Sequence, residues 1–203
     1  MKLRLVRRSG GSAPAWTVPL VVGVACVLLA FGADGLREWG RYERAGLAAG
    51  ELWRLISGHL VHLSPAHTVM NLVALGILVL LFEDCLRPRE WSVVMLAAAL
   101  TIDAGLYWLA ASVDWYVGLS GVLHGVMLAG ALKLVARRAG VAYLLLAAVL
   151  AKLAWEQLVG PVPGSESTAG GRVIVAAHLY GAIGGALGLL LLSGIRRLGP
   201  TRL

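Results

Sequence analysis

The five histidines of this chain fall in three places: His59, His62 and His67; His124; and His178. Ser120 stands in Gly118-Leu119-Ser120-Gly121-Val122-Leu123-His124-Gly125. A serine beside glycine at a loop-to-helix junction is unhindered, and the free N–H groups of a helix N-terminus can bind a developing oxyanion. The soluble-hydrolase elbow places its glycine two residues after the serine, whereas Gly121 follows Ser120 directly. A histidine in reach of that hydroxyl would serve as general base. His178 is the candidate, in Ala177-His178-Leu179-Tyr180-Gly181-Ala182-Ile183-Gly184-Gly185, because Gly181 and Gly185 have the four-residue spacing that admits a facing helix closely. His67 and Asn71 lie four apart, share a helix face, and could both donate to one point, as an oxyanion hole built from side chains requires. Each feature alone has a plainer reading: small-residue strings pack membrane helices, and buried histidines or polar pairs link them.

The elements that would position these residues follow from composition. Of 203 residues, 59% are hydrophobic and 14% charged, against about 25% charged in average globular proteins. A chain of this length with a mean hydropathy of +0.79 cannot hide its apolar surface from water. Lipid must solvate much of it, which excludes disorder, a soluble cytosolic enzyme and a disulfide-stapled secreted module. Cys26 and Cys85 give no disulfide framework and read as small buried or interfacial thiols at different depths. The expectation is one all-α polytopic domain over 1–203, with six transmembrane helices near Trp16–Ala33, Ala66–Phe82, Trp91–Ala111, Leu119–Val135, Val141–Trp155 and Val173–Ile195. Gly160–Gly171 (GPVPGSESTAGG) reads as a flexible loop. The first segment has basic residues before it and Gly23-Val-Ala-Cys26 inside it, as signal peptides can, but its length favours a retained anchor.

The net charge of +7 invites a nucleic-acid partner, but the placement of the charges speaks for a membrane. With the N-terminus cytoplasmic, the inner side collects Lys2, Arg4, Arg7, Arg8, Arg87, Arg89, Lys133, Arg137, Arg138, Arg196, Arg197 and Arg202. The outer side collects Arg37, Arg41, Arg44, Arg54 and Arg172. That is the positive-inside bias, and no aromatic-basic platform for nucleic acid accompanies it. The loop from Asp34 to about Ser64 mixes charge with Trp39, Leu47, Leu52 and Trp53, which suits a position partly in the interface. On this topology the segments bearing His67, Ser120 and His178 all begin at the outer side. Ionisable groups at membrane depth are costly, so their convergence there is a functional signal.

Together these strings resemble the rhomboid intramembrane serine proteases, over roughly Trp53 to Gly188. The resemblance implies that Ser120 is the nucleophile, His178 the base, and His67 and Asn71 the stabilisers of the oxyanion. It implies supporting roles for Gly118, Gly121, Gly181 and Gly185, and a structural role for the Trp53-Arg54 loop. Most rhomboids have a tyrosine four residues after the serine, packed on the catalytic histidine; His124 stands there instead. The strings GLSGVLHG, Lys152 to Gln157 (KLAWEQ) and AHLYGA resemble the bacterial rhombosortase subgroup. That likeness implies single-pass substrates with a GlyGly-CTERM tail: a Gly-rich motif, one transmembrane helix and a basic end. It also implies residence in the bacterial inner membrane, with the site opening to the periplasmic side.

The expected mechanism is a Ser120–His178 dyad without an acidic third member, needing no cofactor or metal. Asp103, mid-helix, and Asp114, in a loop, read as packing or loop residues, and His124 as a residue that orients or covers His178. The Gly160–Gly171 loop and the outer end of the fifth apolar segment are candidates for a gate. A zinc protease is disfavoured because HExxH is absent and no carboxylate falls near the histidines. An aspartyl protease needs two intramembrane aspartates and only Asp103 is available, while a small transporter would show broken-helix repeats. A non-catalytic rhomboid relative, binding or trafficking a partner, is the remaining rival.

Overall fold

Each apolar segment begins where proline, a capping side chain or a loop glycine frees the chain to turn. The computed structural model describes residues 13–32, 35–138 and 140–198. In order, they form α1 (Thr17–Ala30), α2 (Leu36–Gly40), β1 (Tyr42–Glu43), α3 (Arg44–Ala48), α4 (Arg54–Ser57), α5 (Pro65–Phe82), α6 (Pro88–Trp108), β2 (Trp115–Tyr116), α7 (Ser120–Ala136), α8 (Gly140–Leu158), α9 (Ser165–Ala169) and α10 (Val175–Leu198). Helices α5, α6, α8 and α10 are long and apolar enough to cross a membrane, and α1 and α7 are shorter apolar helices. The protein is therefore a mostly helical, multi-pass membrane protein. Lys2, Arg4, Arg7, Arg8, Asp34 and Arg202 lie outside the described residues.

Helix ends differ from the sequence expectation where capping chemistry decides them. Helix α6 starts at Pro88, three residues early, because proline suits the first turn and the Glu90 carboxylate accepts the Arg87 N–H at 2.9 Å. Helix α8 runs to Leu158, past the expected end at Trp155, and so takes in Glu156. The Gly160–Gly171 segment is not wholly loop: it contains the single-turn helix α9 between two left-handed glycines, Gly164 and Gly170.

Helix α10 packs against α6 and α7 at the centre of the bundle, with backbones nearly touching. A Cβ on Gly121 would come within 2.8 Å of the Ala177 carbonyl, and one on Gly125 within 2.6 Å of the Gly181 carbonyl. Reciprocally, Cβ atoms on Gly181 and Gly185 would collide with the carbonyls of Gly121 and Gly125. This is small-residue packing as membrane bundles use it, where close van der Waals approach stands in for the hydrophobic drive. Around it, Trp91, Val94, Ile102, Leu106, Val122 and Val126 form the buried core.

Residues 35–64 fold over the end of the bundle at which α5 and α7 begin. Buried Arg54 organises this segment, donating to the carbonyls of Glu38 and Arg41 and pairing with Glu51. Trp53 stacks on Trp39 with centroids 5.6 Å apart. Strand β1 pairs with β2, Tyr42 opposite Tyr116, and the Gly118 N–H donates to the Gly58 carbonyl at 2.9 Å. The loop thus grips the residues leading into Ser120, as the structural role expected for Trp53-Arg54 requires. At the other end of the bundle Lys133 pairs with Glu90 at 2.6 Å.

The glycine contact sets a stability test. Gly181→Ala puts a methyl into the Gly121 backbone, and overpacking of this kind costs about 1–3 kcal/mol. Thermal unfolding in detergent should show that loss, whereas Gly194→Ala, where nothing lies near, should not.

Candidate active site

Three helix starts and one helix end meet at one level of the bundle. His67 is the third residue of α5, Ser120 the first of α7, His178 the fourth of α10, and Glu156 the third from the end of α8. Ser64 caps α5, its hydroxyl accepting from the His67 N–H at 3.1 Å while donating to the Ala169 carbonyl at 2.8 Å. The start of α5 is thereby fixed to α9. Gly118 takes φ +117°, a conformation costly for any other residue, and the His67 ring lies over it, 2.7 Å from where a Cβ would be. Tyr116 donates to the Gly118 carbonyl at 2.6 Å and holds this turn in place.

Ser120 Oγ and His178 Nε2 are 3.0 Å apart. His178 Nδ1 lies 2.9 Å from Glu156 Oε2. A carboxylate only accepts, so Nδ1 carries the proton and Nε2 is the free base facing the serine. That is the tautomer a general base needs. The His124 ring stacks on His178 with ring centroids 4.1 Å apart. His67 Nδ1 accepts the Leu63 N–H at 3.4 Å, which leaves Nε2–H as the donor on the serine side. Asn71 Nδ2 donates to the His67 carbonyl at 3.0 Å, so one of its two amide hydrogens is already engaged. His67, Asn71, Ser120 and His178 are all buried or nearly so and line one cavity.

That cavity is an apolar groove of about 530 Å³ between α5 and α8, floored by α7 and topped by Val162, Ser165, Ala169 and Val173. On α5 its wall runs from His67 to Leu81, about 21 Å of helix. A second, more polar cavity of about 200 Å³ reaches His67 and Ser120 from the loop side, past Asp114, Trp115 and Arg172. The serine therefore sits where an apolar groove and a polar opening meet.

The remaining histidines lie outside the cavity that holds Ser120. His59 Nε2 lies 3.2 Å from Asp103 Oδ1 in the core, edge-on to Tyr116. His62 packs edge-on to His67 at 5.0 Å, and burial, with His67 beside it, brings its pKa down to about 4, so it is neutral. Both cysteines are buried and unpaired.

The family model described as "Rhomboid domain" matches residues 49–195, well over half of the chain. The chain belongs to the rhomboid family. No curated protein matches it. Members of this family are intramembrane serine proteases that act on transmembrane substrates within the bilayer. Of the residues expected at the site from sequence, Ser120, His178, His67, Asn71 and His124 lie together with Gly118 and Gly121, whereas Gly181 and Gly185 pack the crossing of α7 and α10.

One expectation is overturned. The sequence reading left His178 without an acidic neighbour and the histidines without a carboxylate, yet Glu156 is 2% exposed and bonded to His178. It was missed because the fifth apolar segment was expected to end one residue before it. The available signal was Lys152-x-x-x-Glu156, a charge pair at helical spacing in a span, which is costly in lipid unless used. Ligand atoms of His124, Glu156 and His178 lie within 4.8 Å of one another, as a metal would require. The Lys152 ammonium already meets two of these residues, bonding His124 Nε2 at 2.8 Å and Glu156 Oε1 at 2.6 Å. A cation at this centre would have to displace it.

If His67 supplies an oxyanion donor, His67→Ala lowers kcat for a membrane-anchored reporter by roughly 10²–10³-fold, with Asn71→Ala at the lower end of that range. KM should move much less. Parallel losses in binding and turnover would make these residues structural.

Proposed function

We propose that this rhomboid is an intramembrane serine endopeptidase that works through a Ser120–His178 pair. It cuts exported proteins near a C-terminal transmembrane anchor of the GlyGly-CTERM kind. The observation that carries the serine chemistry is the 3.0 Å contact from Ser120 Oγ to His178 Nε2 beside two side-chain donors. The chemistry follows from that arrangement. His178 Nε2 takes the hydroxyl proton as Oγ attacks the scissile carbonyl. The oxyanion is met by His67 Nε2–H, the remaining Asn71 amide hydrogen and the Ser120 N–H at the start of α7. His178 then returns the proton to the leaving amine. Water from the polar cavity attacks the acyl-enzyme by the same route in reverse.

The groove supports a helical substrate. Its apolar wall matches a single transmembrane segment, and its polar end lies at the level of the serine. An intact helix keeps its carbonyls bonded within itself, so a bond at the serine has to be in unwound chain. Glycine lowers that cost, being about 1 kcal/mol per residue worse than alanine in a helix. A Gly-rich stretch just outside the anchor meets this need, and the strings GLSGVLHG, KLAWEQ and AHLYGA point to the same substrate class. We place the enzyme in a bacterial inner membrane with six spans and a cytoplasmic N-terminus. The bias of Lys and Arg then puts the site on the periplasmic side.

Co-expression with an exported reporter carrying a Gly-rich, single-helix, basic tail tests this reading. Release of the reporter should stop with Ser120→Ala or His178→Ala, and the double variant should be no worse than either, because the two act as one unit. Replacing the tail glycines by leucine should protect the reporter. Indifference to that replacement, with an N-terminally anchored substrate cut instead, would leave a general rhomboid protease. Binding without cleavage would leave a non-catalytic relative. Topology reporters placed after Arg138 should read cytoplasmic, and within Gly160–Gly171 periplasmic; the inverse would turn the site to the cytoplasm.

A further inference from the structure

Five hydrogen bonds close a circuit that begins and ends at Ser120. The Ser120 hydroxyl meets His178 Nε2, His178 Nδ1 meets Glu156 Oε2, and Lys152 Nζ meets Glu156 Oε1. Lys152 also meets His124 Nε2, and His124 Nδ1 lies 2.7 Å from the Ser120 carbonyl. An ammonium can only donate and a carbonyl can only accept, so every proton in the circuit has a fixed place. His124 must carry its proton on Nδ1 and His178 must carry its own on Nδ1. We infer that Glu156 and Lys152, both on α8, are positioning residues for the Ser120–His178 pair: Glu156 fixes the working tautomer of His178, and Lys152 fixes which oxygen of Glu156 does so. This rests on the serine-protease reading above and extends the pair to a Ser–His–Glu triad with a lysine behind it.

The placement on α8 is what makes this specific. Val149, Leu153 and Glu156 lie on the buried stripe of that helix, and the first two pack on Ala182 of α10. Glu156 continues this stripe, so the contact that docks α8 also delivers the carboxylate. Lys152 sits one turn deeper at the edge of the groove with its side chain 35% exposed. The charges around His178 are accounted for element by element: Glu156 and Lys152 from α8, His124 from α7 and His67 from α5. When His178 takes the serine proton, Glu156 faces the imidazolium directly. A general base whose orienting carboxylate becomes an amide can lose about 10⁴ in kcat through the wrong tautomer.

The circuit makes a prediction that a merely structural role does not. In Glu156→Gln the Lys152 ammonium draws the amide oxygen, which turns the NH₂ group onto His178 Nδ1. His178 is then protonated on Nε2 and cannot accept from Ser120. Removing the lysine frees the amide to turn round and present its oxygen to His178. Glu156→Gln should therefore lower kcat by roughly 10²–10⁴-fold with KM little changed. Lys152→Met combined with Glu156→Gln should regain about tenfold or more of that loss. Glu156→Asp, which keeps the charge on a shorter stem, is the second variant and should retain more kcat than Glu156→Gln at equal KM. The assay is reporter cleavage by the full chain in reconstituted membranes, with Ser120→Ala alongside. Glu156→Gln at wild-type kcat, or a double variant no better than Glu156→Gln alone, overturns the assignment while an inactive Ser120→Ala upholds the serine reading. Activity in Ser120→Ala overturns both.

Discussion

The approach of two backbones governs this structure. Gly121 and Gly125 on α7 meet Gly181 and Gly185 on α10 so closely that one added carbon at any of them strikes a carbonyl or a neighbouring chain. Ser120 precedes this contact by one residue and His178 precedes it by three, so the spacing of the helices sets the spacing of these two side chains. A larger residue at the crossing would force the two helices apart and so act on the 3.0 Å Ser120–His178 contact. The Ser120–His178 geometry in this rhomboid is thus a consequence of packing between small residues, which in lipid relies on van der Waals contact and not on water expulsion.

The second constraint is the cost of polar groups at membrane depth. His67, Asn71, His124, Glu156 and His178 are all buried, and each unsatisfied group would cost on the order of kilocalories per mole. The structure meets this by making each group the partner of another, and the resulting order fixes protonation as well as position. The serine-bearing turn is held from the opposite direction. Arg54 shapes the loop, the loop supplies the Gly58 carbonyl, and that carbonyl takes the Gly118 N–H just ahead of Ser120.

Much of this was legible in the sequence because it depends on spacing. The four-residue interval of Gly181 and Gly185 announced a close helix contact, and the four-residue interval of His67 and Asn71 announced a shared face. The apolar segments marked the helices, with ends moved by caps such as Arg87 and Glu90 that hydropathy does not register. Glu156 was legible only through its four-residue interval from Lys152, and that interval does not say which partner it meets. It lies near a helix end, where a charged residue is read as the edge of a span, and only the buried stripe through Val149 and Leu153 turns it inward. The engaged amide hydrogen of Asn71 was equally out of reach, since it depends on a rotamer and not on a spacing.

The central claim is that Ser120 is a nucleophile activated by His178. Treating the purified protein with a fluorophosphonate and locating the adduct by peptide mass spectrometry tests it without knowledge of any substrate. The account predicts phosphonylation at Ser120 in the wild type and its near-complete loss in His178→Ala. An adduct on another residue, or equal labelling of Ser120 in His178→Ala, would contradict it.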